Sequence, residues 1–165
     1  MSSAAYYLIA LGSNMRVAGI GCPRKVVQTA FAALADIGEV LKTSPVIESA
    51  PVGPSQRTYA NACAVIEAEL DPPAMLAELH RIEREFGRER RGEPWRARAL
   101  DLDIVLWNGG IWADCTLQIP HPRFRERAFV VGPASAIAPD WRDPMTGLTL
   151  AHLNARLTRP RALSN

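Results

Sequence analysis

An α+β fold with a ferredoxin-like βαββαβ core and C-terminal additions is what the chain predicts, on three observations. Four apolar stretches have the length and composition of buried strands. Two amphipathic stretches of helical period separate the first strand from the second and the third from the fourth. The order strand, helix, strand, strand, helix, strand is that of the split β-α-β arrangement, with helices on one sheet face and the other free for a site. At 165 residues with 48% hydrophobic content the chain suits one core, so one domain spanning 1–165 is expected.

The elements follow in order. Ala5 to Leu11 is an apolar strand that stops at the turn Gly12-Ser13-Asn14. Pro23 suits a first helical position, Val27, Phe31 and Leu34 recur at helical spacing, and Gly38 is expected to close the helix. Glu39 to Glu48 reads as a second strand disturbed by Pro45. A Pro- and Gly-containing loop over Ser49–Thr58 leads to a third strand, Tyr59 to Leu70. There Asn61, Cys63 and Val65 share one face and Ala60, Ala62, Ala64 and Ile66 the other. Asp71 caps a helix begun by Pro72 and Pro73, with Leu76, Leu79, Ile82 and Phe86 inward and Gly87 at its end. The fourth strand starts at Asp101. Asn108-Gly109-Gly110 is a hairpin-type turn, Ile111 to Ile119 a returning fifth strand, and about 127–138 a helix containing Pro133. Thr149 begins a last short helix.

The fourth strand carries the chemistry. From Asp101, alternation puts Leu102, Ile104 and Leu106 on one face and Asp101, Asp103, Val105 and Trp107 on the other. Two carboxylates on one face, roughly 6.6 Å apart at their backbones, are out of place in an apolar strand. Like charges so close need cations beside them. Hard-oxygen ligands suit Mg²⁺, which takes one or two carboxylates and completes its shell with water and phosphate. Just upstream stand Arg88, Arg90, Arg91, Arg96 and Arg98. A metal pair beside an arginine-rich loop matches a polyphosphate: cations for bridging oxygens, guanidinium forks for the rest. A second basic cluster, Arg123 to Arg127, follows His121.

The formal net charge of +2 is too small to imply a polyanion-binding protein, so the bunching of positive charge is what matters. Cys22, Cys63 and Cys115 are widely spaced and odd in number, which argues against a disulfide framework or zinc site and fits a reducing compartment. With no basic signal-peptide start and an apolar N-terminal run too short to span a bilayer, a cytoplasmic protein is expected.

The chain resembles the 6-hydroxymethyl-7,8-dihydropterin pyrophosphokinase family. The matching segments, in order, are ALGSN (Ala10–Asn14), PVGP (Pro51–Pro54), YANA (Tyr59–Ala62), RIEREFGRER (Arg81–Arg90), WRARALDLDIVLW (Trp95–Trp107) and IPHPRFRERAF (Ile119–Phe129). The resemblance runs from Leu8 to about Pro139. It implies a single pyrophosphokinase domain over 1–165 that transfers diphosphate from ATP to the pterin's hydroxymethyl group and releases AMP. It places two Mg²⁺ ions on Asp101 and Asp103 and makes Arg88 and Arg98 phosphate contacts. It puts Glu83, Ile104, Leu117, His121 and Arg127 near ATP. Tyr59 and Phe129 resemble the aromatic pair around the pterin, Asn61 its hydrogen-bonding anchor, Val52 the loop wall and Trp95 the lid. Arg96 stands where the family usually has glycine, and Ala97 where proline is common.

The implied partners are ATP and 6-hydroxymethyl-7,8-dihydropterin, with neither nucleic acid nor membrane, for a chain expected to act as a monomer. Two other classes share some of these features. A two-metal nucleotidyltransferase also uses Gly-Ser and paired aspartates, usually much closer in sequence. A ferredoxin-like RNA-binding module needs exposed aromatic residues on its central strands, where this chain has Asp101 and Asp103.

Overall fold

The structure, a computed structural model, describes residues 3–49, 57–87 and 99–160. Among them the order is β1 (Ala5–Ser13), α1 (Pro23–Leu34), β2 (Glu39–Thr43), β3 (Ile47–Ser49), β4 (Tyr59–Ala68) and α2 (Pro72–Phe86). There follow β5 (Asp101–Trp107), β6 (Trp112–Ala113), β7 (Gln118–Ile119), a 3₁₀ turn (Phe124–Glu126), α3 (Ala128–Ile137) and α4 (Leu150–Thr158). The α/β mixture read from the sequence is present. The sheet runs β2-β4-β1-β5, with β3 also on β4 and every pair antiparallel.

Both helices of the core start where local chemistry dictates. Pro23 opens α1, whose Val26, Val27, Ala30 and Leu34 are buried. The Asp71 carboxylate accepts the Ala74 N–H at 2.9 Å, and Met75, Leu79 and Ile82 face inward from α2. Fully burying a side chain of that size contributes about 2 kcal/mol. These helices cover Ile9, Leu11, Ala60, Ala62, Ala64, Ile66, Leu102 and Ile104 on one sheet face.

Several sequence expectations are corrected. Gly38 does not cap α1, which ends at Leu34 with Ala35 as its cap. Gly38 instead lies against β4, where an added Cβ would stand 2.5 Å from the Glu67 carbonyl oxygen. The second strand is split. The register shifts between Val40 and Lys42, and the Ser44 hydroxyl accepts the Cys63 N–H in place of a ladder partner. The third strand ends at Ala68, not Leu70. Ile111 to Ile119 is not one strand, because the Asp114 carboxylate accepts from the Thr116 N–H and hydroxyl and from the Leu117 N–H. That local turn competes with a ladder and leaves β6 and β7 paired only with each other.

Alternation along β5 also breaks. Leu8 pairs with Leu106 and Ile9 with Ile104, so Val105 is an extra residue, a β-bulge. Leu106 therefore joins the opposite face from Leu102 and Ile104, while Trp107 packs with the first cluster. That opposite face is not left free along its whole length. Leu8, Ala10, Cys63, Val65, Val105 and Leu106 are apolar and need cover, which Val130, Val131, Ala134 and Ile137 of α3 and Leu150 and Leu153 of α4 provide. The strand ends carrying Asn61, Gly12, Asp101 and Asp103 lie outside that apolar cluster.

Candidate active site

The site is built on the register of three strands. Gly12 of β1 pairs with Asn61 of β4 on one side and with Asp101 of β5 on the other. One row further in, Ala10 pairs with Cys63 and with Asp103. Residues directly opposite in a ladder share a face, so Asn61, Asp101 and Asp103 present their side chains on one surface, flanking small residues of β1. Asp101, Asp103 and Asn61 are all half-buried.

Around this row stand three further groups. On the outer edge of β5, the Glu83 carboxylate of α2 accepts the Leu102 N–H at 3.0 Å. Burial raises the Glu83 pKa and the charges of Asp101 and Asp103 raise it further, against the lowering effects of the Leu102 N–H and His80. Negative potential thus converges here. Past β7, the His121 N–H donates to the Val105 carbonyl at 3.0 Å, which pins that segment alongside the bulge. The His121 Nδ1 accepts the Arg123 N–H at 3.2 Å, so the neutral ring carries its proton on Nε2. Burial holds the imidazole pKa below its usual range, Asp103 pulls it upward, and Arg127 and Arg123 push it down.

Arg127 is the N-cap residue of α3, and its guanidinium lies 5.8 Å from the centre of the Phe129 ring. The Cys63 thiol donates to the Val130 carbonyl at 3.5 Å, which seats the first turn of α3 over β4. Tyr59, Asn61 and Cys63 alternate onto the same face of β4, and Tyr59 and Phe129 are 38% and 42% exposed, high for aromatic rings. Ile104 and Leu117 are buried in the first cluster, on the other face from the carboxylates. Val52, Arg88, Arg90, Trp95, Arg96 and Arg98 lie outside the described residues. Two residues near the site read differently once folded. Gly12 was seen only as a turn residue, since nothing in a lone glycine reveals its strand register. Arg125 looked like one more cation of a basic cluster, yet it is bound to Asp143 by two contacts, at 2.5 and 2.7 Å.

Among the described residues no three His, Cys, Asp or Glu side chains gather into a metal-binding group. The donor set offered is two half-buried strand carboxylates, a number that suits Mg²⁺ held jointly by protein, water and phosphate. No helix among the described residues is long and apolar enough to cross a membrane.

Paired carboxylates, a neighbouring imidazole and basic residues over an antiparallel sheet are the kinds of group a phosphate-transferring enzyme needs. The chain belongs to the 7,8-dihydro-6-hydroxymethylpterin-pyrophosphokinase (HPPK) family, whose model matches residues 8–139. It is 38% identical over 148 residues to a 2-amino-4-hydroxy-6-hydroxymethyldihydropteridine pyrophosphokinase of Synechocystis, covering 88% of this chain and 73% of that one. The protein of the same description from Haemophilus influenzae is 41% identical over 135 residues, 80% of this chain and 81% of that one. Among solved structures, the HPPK-DHPS of Plasmodium falciparum superposes with a TM-score of 0.71 at 14% identity, which speaks to the fold alone. The match covers 94% of this chain and 44% of the Plasmodium chain, so this chain spans less than half of that protein.

Proposed function

We propose that the protein transfers the diphosphate of ATP to the hydroxymethyl group of 6-hydroxymethyl-7,8-dihydropterin, releasing AMP, as a step in folate synthesis. The observation that carries this reading is the row Asn61–Gly12–Asp101 with Asp103 behind it. An amide suited to a heterocycle's polar edge and a carboxylate pair suited to metal-bound phosphate face the same surface. In this reading the pterin lies between Tyr59 and Phe129 with Asn61 on its edge, Val52 as the loop wall and Trp95 as the lid. Glu83, His121, Arg127, Arg88 and Arg98 surround ATP, with Ile104 and Leu117 behind the nucleotide. The strand order β2-β4-β1-β5 supports the ferredoxin-like description, and residues 1–165 are read as one domain.

Asp101 and Asp103 would hold two Mg²⁺ ions, which supply charge neutralisation and a clamp on the attacking and leaving oxygens. The protein's own groups then position and shield. Asn61 fixes the ring so that the hydroxymethyl oxygen faces the β-phosphorus. That oxygen bonds to the β-phosphorus in line with the departing α-phosphate oxygen, whose bond to that phosphorus breaks to give AMP, and the hydroxyl proton passes to solvent. Arg127, Arg88 and Arg98 spread the developing charge, and loop closure excludes water, which competes as nucleophile. Charge neutralisation and positioning dominate such transfers, and no covalent enzyme intermediate is required. Free cysteines at 22, 63 and 115 suit a cytoplasmic enzyme, and the reading is of a monomer with two small-molecule substrates.

Product identity tests the reading. Incubated with Mg²⁺, ATP and the hydroxymethylpterin, the protein should form AMP and pterin diphosphate in equal amounts. ADP in place of AMP would place attack at the γ-phosphorus and reject it.

A further inference from the structure

His121 and Arg127, both on the ATP side in the proposed reaction, are joined by one short run of turns. The Phe124 N–H donates to the His121 carbonyl and the Glu126 N–H to the Arg123 carbonyl, each at 3.3 Å, and the Arg127 N–H reaches the Phe124 carbonyl at 3.1 Å. Such bonds are ordinarily about 2.9–3.0 Å long, and 3₁₀ turns bond with poorer geometry than an α-helix. The backbone alone therefore fixes the two ends of this run only loosely. Side chains supply the rest. Phe124 is sunk into the second apolar cluster at 1% exposure, which sets the depth of the turn. Apolar burial is non-directional, so it does not set how the turn is rotated about that ring.

Arg125 sets the rotation. Its guanidinium gives the Asp143 carboxylate two hydrogen bonds, at 2.5 and 2.7 Å, the two-pronged contact that fixes angle as well as distance. Asp143 is itself held on a closed turn. Its N–H donates to the Leu148 carbonyl and its own carbonyl accepts from Gly147, both at 2.8 Å, while Leu150 at the start of α4 donates to the Trp141 carbonyl at 2.9 Å. Asp143 stands beyond residue 139, where the family match ends. Its side chain has no exposed surface with which to meet a substrate, so it acts only through Arg125.

We propose that Asp143, through Arg125, is a positioning residue for the nucleotide: the clamp sets the rotation of the 121–127 turn and so the direction in which Arg127 faces the triphosphate. This rests on the pterin pyrophosphokinase reading. His121 depends on the clamp less, because its own N–H is pinned to the Val105 carbonyl at 3.0 Å. Arg127 is the joint between turn and helix, with its N–H bonded back to Phe124 and its carbonyl accepting from Val130 and Val131 at 2.9 Å. A rotated turn redirects its side chain. The pterin side is anchored elsewhere. Tyr59 and Asn61 stand on β4, and the first turn of α3, which carries Phe129, is tied to β4 by the Cys63 thiol on the Val130 carbonyl. Loss of the clamp therefore weakens ATP binding and spares the pterin.

The test is Arg125→Met, which keeps an apolar stem and removes the fork, set beside Gly38→Ala, which crowds β4 at Glu67, far along the strand from Asn61. Kinetics are read as AMP release below the melting range of each variant, with the other substrate saturating. Misplacing a binding group by about 1 Å can cost about a hundredfold, so in Arg125→Met the ATP KM should rise at least about tenfold while the pterin KM stays within about twofold. The calorimetric Kd for a nonhydrolysable ATP analogue with Mg²⁺ should rise in step. Gly38→Ala should melt lower yet leave both KM values unchanged. Should Arg125→Met not fold, Arg125→Lys, which keeps the charge without the fork, carries the same expectation. An unchanged ATP KM in the folded variant, with wild type making AMP, overturns the positioning role and leaves the parent reading intact. An equal rise in the pterin KM, or a risen ATP KM in Gly38→Ala, overturns it too, since either marks general loosening. So does failure of both Arg125 variants to fold, which would make the clamp purely structural. A wild-type protein that makes no AMP rejects the parent reading instead.

Discussion

Arg125→Met offers the sharpest stability test, because the Asp143 carboxylate it unpairs is fully buried. The Asp143 side chain is 0% exposed and its carboxylate accepts four hydrogen bonds: two from Arg125, one from the Thr146 hydroxyl at 2.7 Å and one from the Met145 N–H at 3.0 Å. Arg125 also stacks its guanidinium 4.7 Å from the Phe124 ring centre. Removing one partner of a buried pair costs about 3–5 kcal/mol. Arg125 is 26% exposed and two hydrogen bonds to Asp143 survive, so the low end, about 3 kcal/mol, is expected. For a chain of this length that corresponds to a fall in melting temperature of about 6–12 °C. The pH dependence follows from the sign of the shift. Burial alone would raise the Asp143 pKa, but hydrogen bonds from Arg125, Thr146 and Met145 outweigh it and hold the pKa below the usual carboxylate range. A lowered folded-state pKa gives stabilisation that is full above the unfolded value and fades as pH falls through the folded one. Melting curves should show the full gap between wild type and Arg125→Met at pH 7, narrowing on acidification below about 4. A gap under 2 °C, or one independent of pH, refutes the reasoning.

Two more outcomes are expected. Asp103→Asn should lower AMP release at least about a hundredfold, the scale of removing one electrostatic contact at a reacting centre, while metal-free melting is unchanged or higher. The charge of Asp103 adds to the raised pKa of Glu83, so its removal relieves repulsion; wild-type turnover would remove the residue from the reaction. Gly38→Ala should lose about 2 kcal/mol by overpacking, because its Cβ would press on the Glu67 carbonyl oxygen and on Ala68. Denaturant melts with an unchanged midpoint would show that the β4 contact gives way freely.

The succession of core strands and helices along the chain was legible because its signals are local: Pro23 and Pro72 open helices, Asp71 caps one, and the apolar periods are long. Asp101 and Asp103 stood out because charge in an apolar strand is conspicuous. What was hidden depends on partners distant in sequence. The bulge at Val105 arises from pairing with β1, and apolar residues on both sides of it give no local sign of the flip. Gly12 acquires meaning only from Asn61 and Asp101, which the chain brings beside it from far downstream. Arg125 and Arg127 look alike in a run of basic residues. Only folding separates a cation neutralised by Asp143, eighteen positions on, from one that lies over Phe129 beside His121.

The central claim, that the acidic mouth of β5 grips metal-bound triphosphate, is tested most directly by anomalous diffraction from crystals grown with Mn²⁺, a nonhydrolysable ATP analogue and the pterin. Two manganese peaks flanked by Asp101 and Asp103, about 3.5–4 Å apart and bridged by the phosphate oxygens, are the expected result. Triphosphate density away from β5, with no peak at either carboxylate, would contradict it.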